Sequence, residues 1–477
     1  MHTPFFPPWR ARLAAFGRRA LSLRQKPLPH LEKVFAHLLP PEMLSRAEAG
    51  ANSRERVYSL RCTFWAFLWQ VLNGGASCRE AVRQIQALFR LVADLTVDEG
   101  TGAYCQARAR LPWPILAQAR QAAADHAEKL LPEKLRLWRG WHPKVLDGTC
   151  VSLADTAQNQ AAYPQTRTQK PGCGFPLLRL VGLFSLSTGA LLGYAKSNKH
   201  VAEWPLLLRL RQLFEPGDLL LADRGFASYI VLALFELLGV ACLFRLHHAR
   251  PHDLRRGIRL GKKDRLWVWR KPQQKPHYLP KSLWRHVPEE LTVRVLHVQL
   301  RVPGFRTQSL TLVTTLSDAE AYPAPDLAEL YLRRWRIELW WRHLKTTMGM
   351  EVLRCQTPAM VHKELEMYLI GYNFIRCLIT ESAVLYQRAV EQISFKGAVD
   401  ALRQYTPLIA QVGSPKRQRH LMQQLLETLA LDLVPERPGR REPRAVKRRP
   451  KPYPLLTKPR HLFREIPHQS KYRKATP

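Results

Sequence analysis

The stretch that decides the fold is YLRRWRIELWWRHLK, which spans residues 331–345. It contains no Gly, Pro, Ser or Asn, and Asp326 follows two prolines just upstream, so we predict one helix that starts near Asp326. Four polar side chains recur in it at steps of three, four and seven residues: Tyr331, Arg334, Glu338 and Lys345. At about 3.6 residues per turn they lie on one helix face, where a single carboxylate stands among cations.

This polar face has two interpretations. Glu338 has the i, i+4 spacing of an ordinary surface ion pair with either Arg334 or Arg342. Apolar residues nevertheless point around most of the same helix: Leu332, Ile337, Leu339, Trp340 and Leu344. They indicate that the helix is enclosed on several sides. A charged stripe on an enclosed helix requires a partner charge or a ligand, and this one is typical of a metal ligand flanked by phosphate-binding groups.

The charge balance is strongly basic. The 477 residues include 74 Lys and Arg against 38 Asp and Glu, a formal net charge of +36. An excess of this size, spread along the chain, predicts a polyanionic partner. Nucleic acid is favoured over an anionic membrane because the longest apolar run, residues 229–244, is interrupted by Glu236 and is too short to span a bilayer.

The cysteines and histidines predict no metal module. Eight cysteines are scattered without a CxxC pair, so neither a zinc module nor a disulfide framework is indicated, and a reducing cytoplasm fits this usage. His247, His248 and His252 lie near Asp253, but their spacing matches no zinc site and their Arg neighbours disfavour a dication.

Strand-like segments begin at residue 144. They cover 144–149 with 150–153 as a continuation, 178–185, 191–196, 218–225 and 240–246, and helices are predicted at 200–214 and 227–238. Three strands joined by turns, followed by strands that alternate with helices, predict an α/β sheet of the ribonuclease-H kind. Asp147 and Asp223 are each predicted to lie at the end of a strand.

The same patterns divide the chain into consecutive regions. These are a basic arm at 1–28, a helical DNA-binding domain at 29–138, the first half of the ribonuclease-H-like core at 139–249, a β-rich insertion at 250–322, the second half of the core with the catalytic helix at 323–385, C-terminal helices at 386–432, and a basic Pro-rich tail, predicted to be disordered, at 433–477.

In the helical domain a capping box at Ser77 and Glu80 starts one helix, and a short helix is predicted at 104–110. Both helices carry basic faces, which could contact DNA or simply be solvated.

Three isolated carboxylates, Asp147, Asp223 and Glu338, are each predicted at the edge of a rigid element. Either aspartate alone is explained as a turn residue, since Asp and Gly are strong turn formers. Together the three acids suit a small hard cation such as Mg²⁺, with Mn²⁺ able to substitute. Two such ions can activate an attacking oxygen and stabilise a leaving one, with Asp147 bridging both ions, Asp223 on one and Glu338 on the other.

These motifs resemble those of DDE transposases of the insertion-sequence-four family. The resemblance rests on the Tyr-x2-Arg-x3-Glu-x6-Lys signature at 331–345, on Asp-Gly-Thr at 147–149, on Ala-Asp-Arg-Gly-Phe at 222–226, and on the runs at 159–164 and 171–176. It covers residues 145–376. It implies metal-dependent cleavage at the ends of an insertion sequence and transfer of the 3'-hydroxyl ends into target DNA, with cut-and-paste transposition and a homodimer on DNA.

The same resemblance implies the roles of individual residues. Asp147, Asp223 and Glu338 would be the catalytic metal ligands. DNA contacts are predicted for the remaining polar residues of the helix: Tyr331, Arg334, Arg342 and Lys345. A guanidinium and an ammonium beside the metal ions suit a DNA backbone.

The insertion contains β-like runs at 264–270, 291–300 and 308–316. Three tryptophans in it are candidates for stacking on an extruded base, with core packing as the alternative: Trp267, Trp269 and Trp284. Relatives that form hairpin ends carry an aromatic residue immediately before the last insertion strand, and Leu310 takes that place here, so a hairpin intermediate is an open question.

Two further functions stay open at the sequence level. One is a non-catalytic DNA-binding regulator descended from a transposase, and the other is a related nuclease that hydrolyses DNA without joining it. The presence of all three acids favours the enzyme over the regulator.

Overall fold

The computed structural model describes residues 29–45, 57–93, 96–247, 255–300 and 309–435, together with Leu462. The predicted basic arm, most of the predicted tail, and His248, His252 and Asp253 lie outside these residues. The described part is a mixed α/β protein with one ten-stranded sheet and many helices. None of its helices combines the length and the apolar character that a membrane crossing requires.

The N-terminal region is helical, as predicted. Its helices are α1 (Pro29–Phe35), α2 (Leu60–Leu72), α3 (Cys78–Ala93), α4 (Gly102–Arg110), α5 (Trp113–Leu130) and α6 (Glu133–Arg136), with 3-10 turns at Ala36–Leu38 and Pro41–Leu44. The predicted capping box begins α3: the backbone N–H of Ser77 donates to Glu80 Oε2 at 2.5 Å, and that of Glu80 donates to Ser77 Oγ at 3.2 Å. The predicted apolar helix is α2, which is buried on nearly every face.

Ten strands form the sheet. They are β1 (His142–Leu153), β2 (Leu177–Ser185), β3 (Leu191–Asn198), β4 (Asp218–Ala222), β5 (Ala241–Arg245), β6 (Ile258–Gly261), β7 (Asp264–Arg270), β8 (Glu290–Gln299), β9 (Ser309–Thr314) and β10 (Val352–Leu353). Their order is β3-β2-β1-β4-β5-β9-β8-β7-β6, with β10 also paired to β1. The first three strands are antiparallel, whereas β4 and β5 run parallel to β1.

Short helices connect these strands. They are α7 (Ala157–Ala162), α8 (Glu203–Arg209) with a 3-10 turn at Arg211–Leu213, α9 (Tyr229–Glu236) and α10 (Lys281–His286). The predicted strands and the helix before β5 are confirmed, and α8 is shorter than predicted. Two core clusters lie on opposite sides of the sheet, so β4 and β5 are covered on both faces. Because both faces are buried, the sequences of these two strands are almost continuously apolar.

The prediction that Asp147 ends a strand is wrong. The segments 144–149 and 150–153 form one strand of 12 residues, and Asp147 lies near its middle, opposite Gly182 of β2. On its other side β1 pairs with β4 only from His142 to Val145. Asp147 therefore lies two residues beyond the last residue pair of β1 and β4, on a part of β1 that β4 does not cover.

The insertion continues the same sheet. Its predicted runs are β7, β8 and β9, and β9 pairs antiparallel with β5. A buried ion pair ties it together: Arg294 donates to Asp264 at 2.9 and 2.6 Å and to the carbonyls of Asp318 and Tyr322 at 3.1 and 2.7 Å. Leu310 lies inside β9 and is buried, so its predicted place before the last insertion strand is wrong.

The C-terminal half is again helical. It contains α11 (Ala324–Arg333), α12 (Arg336–Arg342), a π-helical turn (His343–Thr347), α13 (Pro358–Leu385), α14 (Phe395–Gln411) and α15 (Pro415–Leu431). Helix α13 is buried over most of its length and packs against α2, α5 and α15. The region predicted to hold C-terminal helices, 386–432, contains α14 and α15.

The prediction of one continuous helix over 331–345 is wrong. The chain turns between α11 and α12, where four N–H groups donate to the carbonyl three residues back. These are the N–H groups of Arg334, Trp335, Ile337 and Glu338. A 3-10 step advances about 120° per residue instead of about 100°, so the residues after the turn face a different direction from Tyr331.

Candidate active site

Asp147 lies on the side of the sheet that α12 covers. Alternate residues of β1 face opposite sides, with Val145 in the core on the α12 side and Leu146 in the core on the other. Asp147 shares the side of Val145. Trp341 of α12 packs against Gly182, the cross-strand partner of Asp147, and its ring lies 2.8 Å from where a Cβ at residue 182 would be. Helix α12 is thus anchored beside the aspartate.

Asp223 lies next to Asp147 because of the strand register. Val145 of β1 pairs with Leu221 of parallel β4, and Asp147 and Asp223 each lie two residues further along. Alternation places Asp223 on the same side as Leu221, which is the α12 side. Asp223 Oδ1 accepts the N–H of Gly225 at 2.8 Å, which makes a tight turn directly after β4.

The pKa of Asp147 is raised to about 6, chiefly by burial and also by the negative charges of Asp223 and Glu203. The N–H of Gly148 and the positive charge of Arg334 act in the opposite direction. Crowded carboxylates that repel one another in a partly buried place are the kind of donor set that a hard dication neutralises. Asp147 and Asp223 fit that role.

Tyr331 and Arg334 are buried behind these aspartates. The Tyr331 hydroxyl donates to the carbonyl of Ala222 at 3.3 Å, directly before Asp223, and the residue is 1% exposed. Arg334 is 6% exposed, and its guanidinium lies 5.5 Å from the ring centroids of both Tyr331 and Trp335. Tyr331 therefore supports the end of β4 in this structure, and Arg334 packs against Tyr331. The prediction that Tyr331 contacts DNA directly does not match its buried position.

Glu338 is set apart from the two aspartates. Its side chain is 61% exposed, and its Oε1 lies 3.9 Å from the Arg334 guanidinium, a loose contact. Within the described residues, no three His, Cys, Asp or Glu side chains lie close enough to hold a metal ion. The predicted cage of three carboxylates is therefore not assembled in this structure, in which the Glu338 side chain is exposed.

The other predicted DNA contacts have mixed positions. Arg342 is exposed and Lys345 is half-buried. Trp269 is buried in the core of the insertion, which leaves no open ring face for a base. Trp267 and Trp284 are half-buried and pack against the same core, and Lys271 Nζ lies 4.6 Å from the Trp284 ring centroid.

Helix α8 contributes two residues that sequence reasoning missed. Glu203 packs against Gly148, next to Asp147. The Trp204 indole N–H donates to the carbonyl of Gly225 at 2.7 Å and so fastens the turn that holds Asp223. Nothing in the local sequence links α8 to these strands, because the contacts arise only when the sheet forms.

Comparisons with known proteins bear directly on this site. Residues 144–374, which contain all three predicted acids, match the family of the transposase DDE domain. Over 433 residues the chain is 27% identical to the transposase InsG for insertion sequence element IS4 of Escherichia coli (strain K12), covering 88% of this chain and 93% of that protein. The chain belongs to the DDE transposases of the IS4 type. Transposases of this class generally use divalent metal ions.

A solved structure similar to this DDE transposase is the piggyBac transposase synaptic complex with hairpin DNA. The sequence identity is 10% and the TM-score is 0.40, over 86% of this chain and 85% of that chain. A TM-score of this size carries no inference about the site.

We expect Gly182→Ala to disturb the transposase beside Asp147. A Cβ at residue 182 would lie 2.8 Å from the rings of both Trp341 and Phe184, which are buried and cannot move freely. Overpacking of this kind costs about 1–3 kcal/mol and would push α12 away from β2. The melting temperature and the rate of DNA cleavage should both fall. Gly102→Ala is the matched control, since nothing lies within 4 Å of its added Cβ; equal behaviour of the two variants would contradict the anchoring role of Trp341.

Proposed function

We propose that this transposase cleaves DNA at the ends of its insertion sequence and transfers the 3'-hydroxyl ends into target DNA by a cut-and-paste route. The observation that carries the proposal is the register of the parallel strands β1 and β4, because Asp147 and Asp223, the residue that follows β4, each lie two positions beyond the pair Val145–Leu221. Helix α12, which bears Glu338, covers the same side of the sheet.

The strand arrangement supports a ribonuclease-H-like core. Strands β1 to β5 have the order 3-2-1-4-5, with three antiparallel strands and two that run parallel to β1. We assign residues 139–249 and 323–385 to this core, 250–322 to an insertion, 29–138 to a DNA-binding domain and 386–432 to C-terminal helices.

Asp147, Asp223 and Glu338 would hold two Mg²⁺ ions, for which Mn²⁺ could substitute. When bound, the ions would activate the attacking oxygen and stabilise the leaving oxygen of the phosphodiester. The donor chemistry fits, because the two aspartates are crowded carboxylates in a partly buried place. Glu338 is exposed and only loosely paired with Arg334, so its side chain would turn toward the two aspartates to act as the third ligand.

The chain's own cations would position the DNA. Arg342 is exposed and Lys345 half-buried, so both are available to contact the phosphates next to the acids. Arg334 is buried and lies within electrostatic reach of Asp147, so its role is to stabilise the aspartate's charge and to support β4. The net charge of +36 favours binding of long DNA, and a homodimer would hold two ends together.

The proposal is tested with the DNA that flanks the coding region. Purified protein is incubated with labelled duplexes that carry these flanks, with Mg²⁺, and with a supercoiled target plasmid. We expect nicking or double-strand cleavage at inverted repeats and joining of pre-cleaved ends to the plasmid. Cleavage without joining would identify a nuclease, and binding without cleavage would identify a DNA-binding regulator; either result would overturn the proposal.

A further inference from the structure

A cluster of three cysteines lines a cavity of about 520 Å³ that lies away from the acids. The cavity is enclosed by α2, α3, α4 and the segment that leads into α13. Cys78 begins α3, Cys105 lies on α4, and Cys355 follows β10. All three are free thiols; Cys105 is exposed and the other two are half-buried.

Arg108 joins two of these sulfurs. Its guanidinium donates to Cys78 Sγ at 3.0 Å and to Cys355 Sγ at 3.1 Å, and it stacks on the Phe67 ring at 3.9 Å. The residue is 5% exposed, and its Nε has no hydrogen-bond partner in the described part of the chain. A guanidinium stays charged in proteins, so a buried one requires a nearby anion. The buried Glu364 carboxylate lines the same cavity and attracts this guanidinium, and a cysteine thiolate in direct contact with Arg108 would supply a second anion.

Cys78 is the sulfur best placed to be this thiolate. It accepts hydrogen bonds from Arg108 and, at 3.7 Å, from Gln70 Nε2. A hydrogen bond from the Cys105 thiol lowers the pKa of Cys78 well below its ordinary value, and the Arg108 charge adds to this effect. The same hydrogen bond raises the pKa of Cys105, and burial raises that of Cys355. The cluster therefore pairs one thiolate with a neighbouring protonated thiol that lines the same cavity.

We propose that Cys78 is a site of oxidation by peroxides, with Cys105 as the thiol that resolves it. The Cys78 thiolate attacks one oxygen of hydrogen peroxide and breaks the O–O bond, which yields a sulfenic acid and hydroxide. The Cys105 sulfur then attacks the Cys78 sulfur, and a disulfide forms as water leaves. Two electrons pass from the two thiols to the peroxide, and no other reactant is needed.

The surroundings of Cys78 differ from those of the buried cysteines. Cys62, Cys242 and Cys377 are buried, and burial raises the pKa of each. Reactive thiols occur where a cation stabilises the thiolate and a path to solvent exists. The cavity beside Arg108 supplies both for Cys78. Cys173, half-buried on the loop before β2, is a comparison cysteine within the same molecule.

The test uses the full chain, reduced and without DNA or metal, so its outcome is independent of the proposed transposition. Iodoacetamide labelling is followed by peptide mass spectrometry across pH 5 to 8. We expect Cys78 to react at least about tenfold faster than Cys173 at mildly acidic pH. Arg108→Met should remove this advantage, and the wild-type ratio between the two cysteines remains informative if that variant does not fold.

Oxidation is then measured with dilute hydrogen peroxide. The wild-type chain should give a Cys78–Cys105 disulfide in non-reducing peptide maps. Cys105→Ser should instead accumulate a Cys78 sulfenic acid that dimedone traps, and Cys173→Ser should behave like the wild type. Equal labelling of Cys78 and Cys173, or a disulfide that joins Cys78 to any other cysteine, would overturn the proposal.

Discussion

Asp147→Asn is expected to lower DNA strand cleavage by a factor of about 10³ or more, with DNA affinity nearly unchanged. The substitution keeps the shape of the side chain, and its backbone pairing with Gly182 persists. It removes the negative charge that a metal ion requires, beside Asp223. Cleavage of end DNA and the dissociation constant of the same DNA are measured side by side, in Mg²⁺ and in Mn²⁺.

Asp223→Asn and Glu338→Gln should behave in the same way. Glu329→Gln is the matched control, because Glu329 is an exposed glutamate on α11 whose substitution makes the same change of charge. It should cleave DNA as the wild type does. If one of the three acid variants retained full cleavage, that residue would not be a metal ligand. A fall in affinity that matched the fall in cleavage would instead indicate a defect in DNA binding.

Asp264→Leu is expected to destabilise the insertion by about 3–5 kcal/mol. The substitution leaves the Arg294 guanidinium, which is 0% exposed, without its carboxylate partner. The remaining contacts of Arg294 go to backbone carbonyls, which cannot neutralise its charge. Urea unfolding followed by tryptophan fluorescence reports the loss, since Trp267 and Trp269 lie on the same strand as Asp264.

The double variant Asp264→Leu with Arg294→Met separates charge from packing. Replacing both members of a buried ion pair with apolar residues is often neutral or stabilising, so the double variant should recover most of the lost stability. Arg270 and Glu290 provide an exposed control pair at 3.5 Å, and Glu290→Gln should change stability by no more than about 0.5 kcal/mol. A double variant as unstable as Asp264→Leu alone would show that shape, rather than charge, governs this site.

Local patterns predicted much of this fold correctly. The run 264–270 coincides with β7, the region predicted to hold C-terminal helices contains α14 and α15, and the capping box at Ser77 forms as expected. These successes share a cause, because strand alternation, helix periodicity and capping depend on residues only a few positions apart. The three candidate acids were predicted in the same way, from residue type and motif, and their role stays a prediction.

The break between α11 and α12 could not be predicted from that information. A stretch without Gly or Pro predicts a continuous helix. In the structure, Tyr331 and Arg334 are buried behind β4, and Trp341 packs on Gly182. The chain turns between these contacts, and Glu338 is exposed. Propensity is a weak preference that tertiary packing overrides.

The sequence by itself determined which residues are candidates for the chemistry: the acids, the cations near them and the elements that bear them. Only the tertiary structure decided which of them meet. It set Asp223 beside Asp147 through strand register, and it gathered Cys78, Cys105 and Cys355 around Arg108. The physical reason is that periodicity and capping act over a few residues, whereas register and burial depend on pairing between segments far apart in the chain.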